Sequence, residues 1–273
     1  MYAPHIFLLC AAPGDEVLGA SAAIMRAREQ GCRVTAMMLT NGLPNPPAGF
    51  IGRLLARGRT RTIDTIITAS RHVAGAMGYD YISWDRAHGA GSVPPRMLAI
   101  TQTIHAAIAR LQPQALWVPA FIGLSPDHDA LNIIASRVKQ IVPQLNIFEY
   151  ATPPIHLADR RYGVMFPAKQ GMELALNLSQ TEAGKRQRHA ELLLRAGARF
   201  SMANTERELF RPLAAADYTK PPYGYLTMNI QQPSRAAKAA GARIARRVLP
   251  LFAAYLRTPP TVPAPPLPIQ ESR

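Results

Sequence analysis

Cysteine is nearly absent. Only Cys10 and Cys32 occur in 273 residues, too few for a disulfide framework or a cysteine-rich zinc site and in keeping with a reducing compartment. Acidic residues are scarce as well, 17 against 31 Lys and Arg, which leaves a formal charge of +14 and a pI near 10.5. That excess admits anionic partners: nucleic acid, anionic lipid or a phosphorylated small molecule. No run approaches the ~20 apolar residues that cross a bilayer, and no basic region precedes the short apolar run at His5–Leu9, so neither a spanning helix nor a signal peptide is predicted. The expected location is the cytoplasm, with contact at a membrane surface as the one extension. Ala11–Gly19 lacks the Gly-x-Gly-x-x-Gly spacing that lets a backbone approach pyrophosphate, which disfavours dinucleotide binding. No nucleic-acid reader motif is present and few aromatics interleave the basic residues, so no nucleic-acid partner is expected.

What is present is a chain 48% hydrophobic, enough to bury a sizeable core. Its first 150 residues alternate between strand and helix periods, the pattern of an α/β protein with a Rossmann-like, mostly parallel sheet and helices on both faces. Strands are predicted at His5–Cys10, Arg33–Thr40, Tyr81–Trp84, Ala115–Pro119 and Asn146–Tyr150. Helices are predicted from Asp15 to Gly31, from Leu54 to Met77, around Met97–Ile108, around Leu131–Ile141 and over Thr181–Ala196. Asn41–Gly49 is dense in turn formers and reads as a flap. Past Pro153 the strict alternation fades into an α+β completion.

Three segments follow in domain terms: 1–230 as the main domain, 231–257 as a basic amphipathic helical appendage, and 258–273 as an extended Pro-rich tail. In the second, Arg235, Lys238, Arg243, Arg246 and Arg247 flank Ile244, Val248, Leu249, Phe252, Tyr255 and Leu256. Residues 235–256 could lie on an anionic membrane surface or pack on the domain. Pro250 is expected to kink or restart that helix.

The stretch Cys10-Ala11-Ala12-Pro13-Gly14-Asp15-Glu16 ends the first strand, and Ser125-Pro126-Asp127-His128-Asp129 follows the fourth. Both loops would open on the same sheet edge, the natural place for a shared site. On the residues alone two roles compete for Asp15: a cap on its own helix, or one metal ligand beside His128 in a site needing three. His128 is equally a ligand or a solvated first-turn residue.

In order and placement these two motifs resemble those of the zinc-dependent N-acetylglucosaminylphosphatidylinositol de-N-acetylases (PIG-L) and their bacterial LmbE-like relatives, whose motifs are Ala-His-Pro-Asp-Asp-Glu and His-Pro-Asp-His. Thr40-Asn41-Gly42, Ala76-Met77-Gly78 and Lys185 extend the similarity, which covers residues 1 to about 215. The resemblance implies the LmbE-like deacetylase fold, an N-acyl amino-sugar substrate and zinc held in part by Asp15 and His128. Three positions depart from it. The family's histidine ligand corresponds to Ala12, the aspartate serving as general base to Gly14, and the histidine stabilising the oxyanion to Ser125.

Ala12 has no donor atom and Gly14 no side chain, and losing a positioned base costs ~100- to 10,000-fold. Zinc is therefore expected to be weakly held or absent. Cys10, two residues before Ala12, is the candidate third ligand; Asp127, Asp129 and Ser125 are candidate catalytic groups if hydrolysis survives. Arg53, Arg57, Asn41 and Glu16 are candidate ligand contacts, the arginines for a phosphate or sugar acid. The leading expectation is an eroded zinc site that binds a sugar-like or sugar-phosphate ligand, or assists a partner enzyme. An active N-deacetylase is the alternative.

Overall fold

The computed structural model describes residues 1–45, 50–84, 86–121, 125–152, 173–200, 206–213, 218 and 235–260, with the backbone alone for 50–57 and 235–245. Its elements begin β1 (His5–Cys10), α1 (Asp15–Glu29), β2 (Arg33–Met38), α2 (Phe50–Met77) and β3 (Asp80–Ser83). A 3₁₀ turn at Pro94–Arg96 leads into α3 (Met97–Leu111), then β4 (Ala115–Pro119), α4 (Pro126–Ile141) and β5 (Asn146–Tyr150). β6 (Leu174–Asn177), α5 (Gln180–Arg195), β7 (Arg207–Pro212) and α6 (Arg235–Arg257) complete the order.

The seven strands form one sheet in the order β3-β2-β1-β4-β5-β7-β6. The first five are parallel; β7 runs antiparallel to β5, and β6 to β7. The chain therefore winds outward from β1 in one direction and from β4 in the other. The loops after β1 and β4 diverge at that switch point, where an open α/β sheet forms its crevice.

Strand β1 shows why both faces need helices. Ile6, Leu8 and Cys10 point into a core shared with α1, α2 and α5, while Phe7 and Leu9 point into a second core with α3, α4 and α6. All five are fully buried, as the period-two alternation of a central parallel strand requires. The close approach of α1 to the sheet depends on Gly19, where an added Cβ would meet Ala151 O at 2.7 Å and the Tyr150 ring at 2.6 Å.

Helix α5 starts with a capping box: the Ser179 hydroxyl accepts from Glu182 N, and the Glu182 carboxylate accepts from Ser179 N at 2.7 Å. Arg26 Nε and Nη2 then donate to the two Glu182 oxygens at 2.7 and 2.8 Å, tying α1 to α5. α6 does not restart at Pro250, which lies exposed inside one continuous helix. Val248, Phe252 and Tyr255 bury one face of its C-terminal half against the α3–α4 core. Arg137 Nη1 donates to Tyr255 O at 2.7 Å, and the Tyr255 hydroxyl pairs with Thr101 at 2.7 Å. This half of the basic helix thus packs on the domain; the side chains of 235–245 and the tail from 261 lie outside the described residues. No described helix is long and apolar enough to cross a membrane.

Candidate functional site at the sheet switch point

Asp15 is the first residue of α1, after Gly14 in a left-handed conformation at φ 107°. The helix has no side-chain cap there. Instead the Asp15 carboxylate folds back, its Oδ2 accepting from Ala11 N at 2.8 Å and Ala12 N at 3.0 Å. The same oxygen meets His128 Nε2 at 2.9 Å, so the loops after β1 and β4 converge on one atom. Of the two roles open to Asp15, the helix cap is not taken: the carboxylate ties down the preceding turn and meets His128.

His128 is buried in the first turn of α4, and among the described residues its Nδ1 has no hydrogen-bond partner. Burial alone would lower the imidazole pKa, yet the adjacent Asp15, through charge and hydrogen bond, together with Asp127 and Asp129, holds it above the usual histidine range. Asp15 remains partly open, its side chain 13% exposed.

Asp127 is committed elsewhere. Its Oδ2 accepts from Gly91 N at 2.6 Å and its Oδ1 from Val93 N at 2.9 Å, so it clamps the segment before α3. Burial raises its pKa, opposed by those two amides. Asp129 is fully buried. Ser125, partly exposed in extended conformation before α4, makes no side-chain cap; its carbonyl accepts from Asp129 N at 2.9 Å.

Glu16 is fully buried beneath the turn, where its Oε2 accepts from Gly14 N at 2.9 Å and its Oε1 from Tyr79 Oη at 3.3 Å. Desolvation pushes its pKa up to about 7. Asn41 is buried too: its Nδ2 donates to Arg86 O, and its Oδ1 accepts from Leu43 N and Arg59 Nη2. Arg59 also binds Pro44 O, so these groups brace the start of the flap against α2 rather than line an open surface. The side chains of Arg53 and Arg57, and flap residues 46–49, lie outside the described residues.

Cys10 faces the α1–α2–α5 core, fully buried, with the Tyr150 hydroxyl donating to its Sγ at 3.8 Å. Burial drives its pKa well up, which opposes the thiolate that a zinc ligand must be. Among the described residues no group of three or more His, Cys, Asp or Glu side chains could hold a metal ion. Asp15 and His128 are brought together without a third donor, and the described residues do not fit a catalytic zinc held by three protein ligands.

Two further features have no local sequence signal. A Cβ built on Gly14 would lie 2.5 Å from Phe200 Cε1, so the Phe200 ring packs on the bare backbone of that turn. Asn132, one turn after His128, donates to Pro119 O and Glu149 Oε1 and accepts from the Tyr218 hydroxyl, while Arg211 Nε binds Glu149 Oε2 at 2.6 Å. This buried network holds α4 against the ends of β4 and β5.

The fold and site together define an open α/β protein whose crevice lies at the β1–β4 switch point. No protein-family model matches the chain, and no curated protein matches its sequence. Solved structures do. An A40926 pseudoaglycone deacetylase is 14% identical, with a TM-score of 0.55 over 78% of this chain and 99% of the other. A deacetylase of the teicoplanin biosynthesis pathway, in complex with teicoplanin, is 12% identical, with a TM-score of 0.56 over 78% of this chain and 100% of the other. The N,N'-diacetylchitobiose deacetylase from Pyrococcus horikoshii is 12% identical, with a TM-score of 0.51 over 86% of this chain and 88% of the other. The chain has the LmbE-like deacetylase fold, as the resemblance of its two loop motifs implied.

Proposed function

We propose that the chain is a PIG-L/LmbE-type protein whose metal centre has been eroded, and that it binds a sugar-like ligand at the Asp15–His128 crevice with little or no hydrolysis. The observation that carries this reading is the composition of the switch-point site: Asp15 and His128 meet at 2.9 Å, and no third metal donor joins them among the described residues. Ala12 supplies no electron pair. Gly14 supplies no base, and its surroundings leave no room for one, because Phe200 occupies the space a side chain would enter. The carbohydrate assignment is supported by the fold shared with deacetylases of chitobiose and of teicoplanin biosynthesis, and by the Asp15 carboxylate, which stays partly open at the switch point.

The second reading is an active metal-dependent N-deacetylase of an N-acyl amino sugar. The convergence of Asp15 and His128 favours it, since these are two of the ligands such chemistry needs. It requires a third donor from beyond the described residues.

Calorimetric titration with N-acetylglucosamine and N,N'-diacetylchitobiose, run beside an assay for released amine with and without added zinc, separates the two. Saturable sugar binding without amine release is the expected result. Zinc-dependent amine release that is lost in both Asp15→Ala and His128→Ala would establish the second reading instead.

A further inference from the structure

The rim of the crevice combines a carboxylate with an aromatic ring. Phe200 follows α5, whose start is held on α1 by the two-pronged Arg26–Glu182 contact, so the ring reaches the site from an anchored element. It packs against the α1–α2–α5 core yet stays partly exposed. The ring lies against Gly14, where a Cβ would stand 2.5 Å from Cε1 and 2.6 Å from Cδ1. Contacts that short essentially never occur for real Cβ atoms, and the positive φ of Gly14 independently favours glycine. The pair is mutually fixed: glycine makes room for the ring, and the ring fills the room.

Asp15 is the next residue after Gly14. It is partly open, and among the described residues no donor occupies its Oδ1. The adjoining wall is small: a Cβ on Gly42 would lie 3.3 Å from the Ala12 Cβ, and Ala12 and Gly42 are both partly exposed. A partly exposed aromatic ring, small neighbouring residues and one hydrogen-bond acceptor complement a pyranose ring, which presents C–H bonds on one face and hydroxyls at its edge.

We propose that Phe200 is a ligand-contacting residue, the platform for the C–H face of a sugar ring whose edge hydroxyl donates to Asp15. This rests on the sugar-binding reading and adds to it the residue that took over the space at position 14. The ring is thereby more than a plug.

The test uses the full chain with N-acetylglucosamine and N,N'-diacetylchitobiose as probes. In the wild-type protein, intermolecular NOEs should connect Phe200 ring protons with sugar C–H protons. Phe200→Leu keeps apolar bulk but loses the ring, and should weaken binding about tenfold, with its urea midpoint close to wild type. Phe200→Tyr should retain affinity. Gly14→Ala adds a methyl group that drives the ring aside, and should weaken binding in the Phe200 protein while adding little in the Phe200→Leu background. Equal affinity of Phe200→Leu and wild type, or saturated sugar with no NOE to the ring, overturns the proposal and leaves the sugar-binding reading standing. Failure of the wild type to bind either sugar overturns both.

Discussion

His128 Nε2 lies 2.9 Å from Asp15 Oδ2, although 113 residues separate them in sequence. Strand order produces the contact, because β1 and β4 are neighbours whose following loops diverge at the switch point. That one oxygen also takes Ala11 N and Ala12 N, so it organises the turn as well as the imidazole.

Removing the carboxylate should therefore cost stability. Asp15→Ala strands two amides and an imidazole nitrogen in a poorly solvated place, a loss of about 2–4 kcal/mol. Urea unfolding measures it. A change under about 0.5 kcal/mol, the size of an ordinary surface substitution, would show that the three hydrogen bonds do not persist in solution.

Acid should loosen the hold of α1 on α5. Glu182 is held down to about 2, foremost by the Arg26 hydrogen bond, and a free glutamate titrates near 4.5. The folded value lies below the unfolded one, so the stabilisation is fully present above pH 4.5 and fades as pH falls towards 2. The pair is partly solvated, which limits its worth to about 1 kcal/mol. Arg26→Ala should remove that part of the acid dependence, read as unfolding free energy against pH. A profile that keeps its wild-type slope below pH 4.5 would refute the assignment.

The Glu149–Arg211 pair is fully internal, with side-chain exposures of 2% and 5%. Burial raises the Glu149 pKa, and Arg211 and Asn132 oppose the rise. Arg211→Met leaves a buried carboxylate without its cation and should cost about 3–5 kcal/mol, whereas the double variant Glu149→Leu/Arg211→Met should recover much of that loss. Chemical denaturation of the three proteins checks it, and additive losses would contradict it.

Much of this was legible in the sequence. The bounds of β1 and β4 follow from apolar runs closed by turn residues, those of β5 from a short strand-forming stretch around Ile147, Phe148 and Tyr150, and the convergence of the Asp15 and His128 loops follows from the alternation of strand and helix. Long-range packing was not legible. Nothing local ties Phe200 to Gly14 or Asp127 to the amides of Gly91 and Val93, and the antiparallel edge β7-β6 lacks the strand–helix rhythm of the parallel part. Glu16 illustrates the limit: beside Asp15 in a polar motif, it reads as a ligand contact, yet helix geometry turns it under the turn and into the core. Pro250 illustrates another, since the packing of Val248, Phe252 and Tyr255 carries α6 past a residue that disfavours helix.

Elemental analysis of the full chain purified without chelator tests the eroded centre most directly. With Asp15 and His128 as the protein donors, zinc should fall well below one atom per chain and wash out readily on dialysis. One zinc per chain that survives dialysis, and is lost together with Asp15 or His128, would contradict the account.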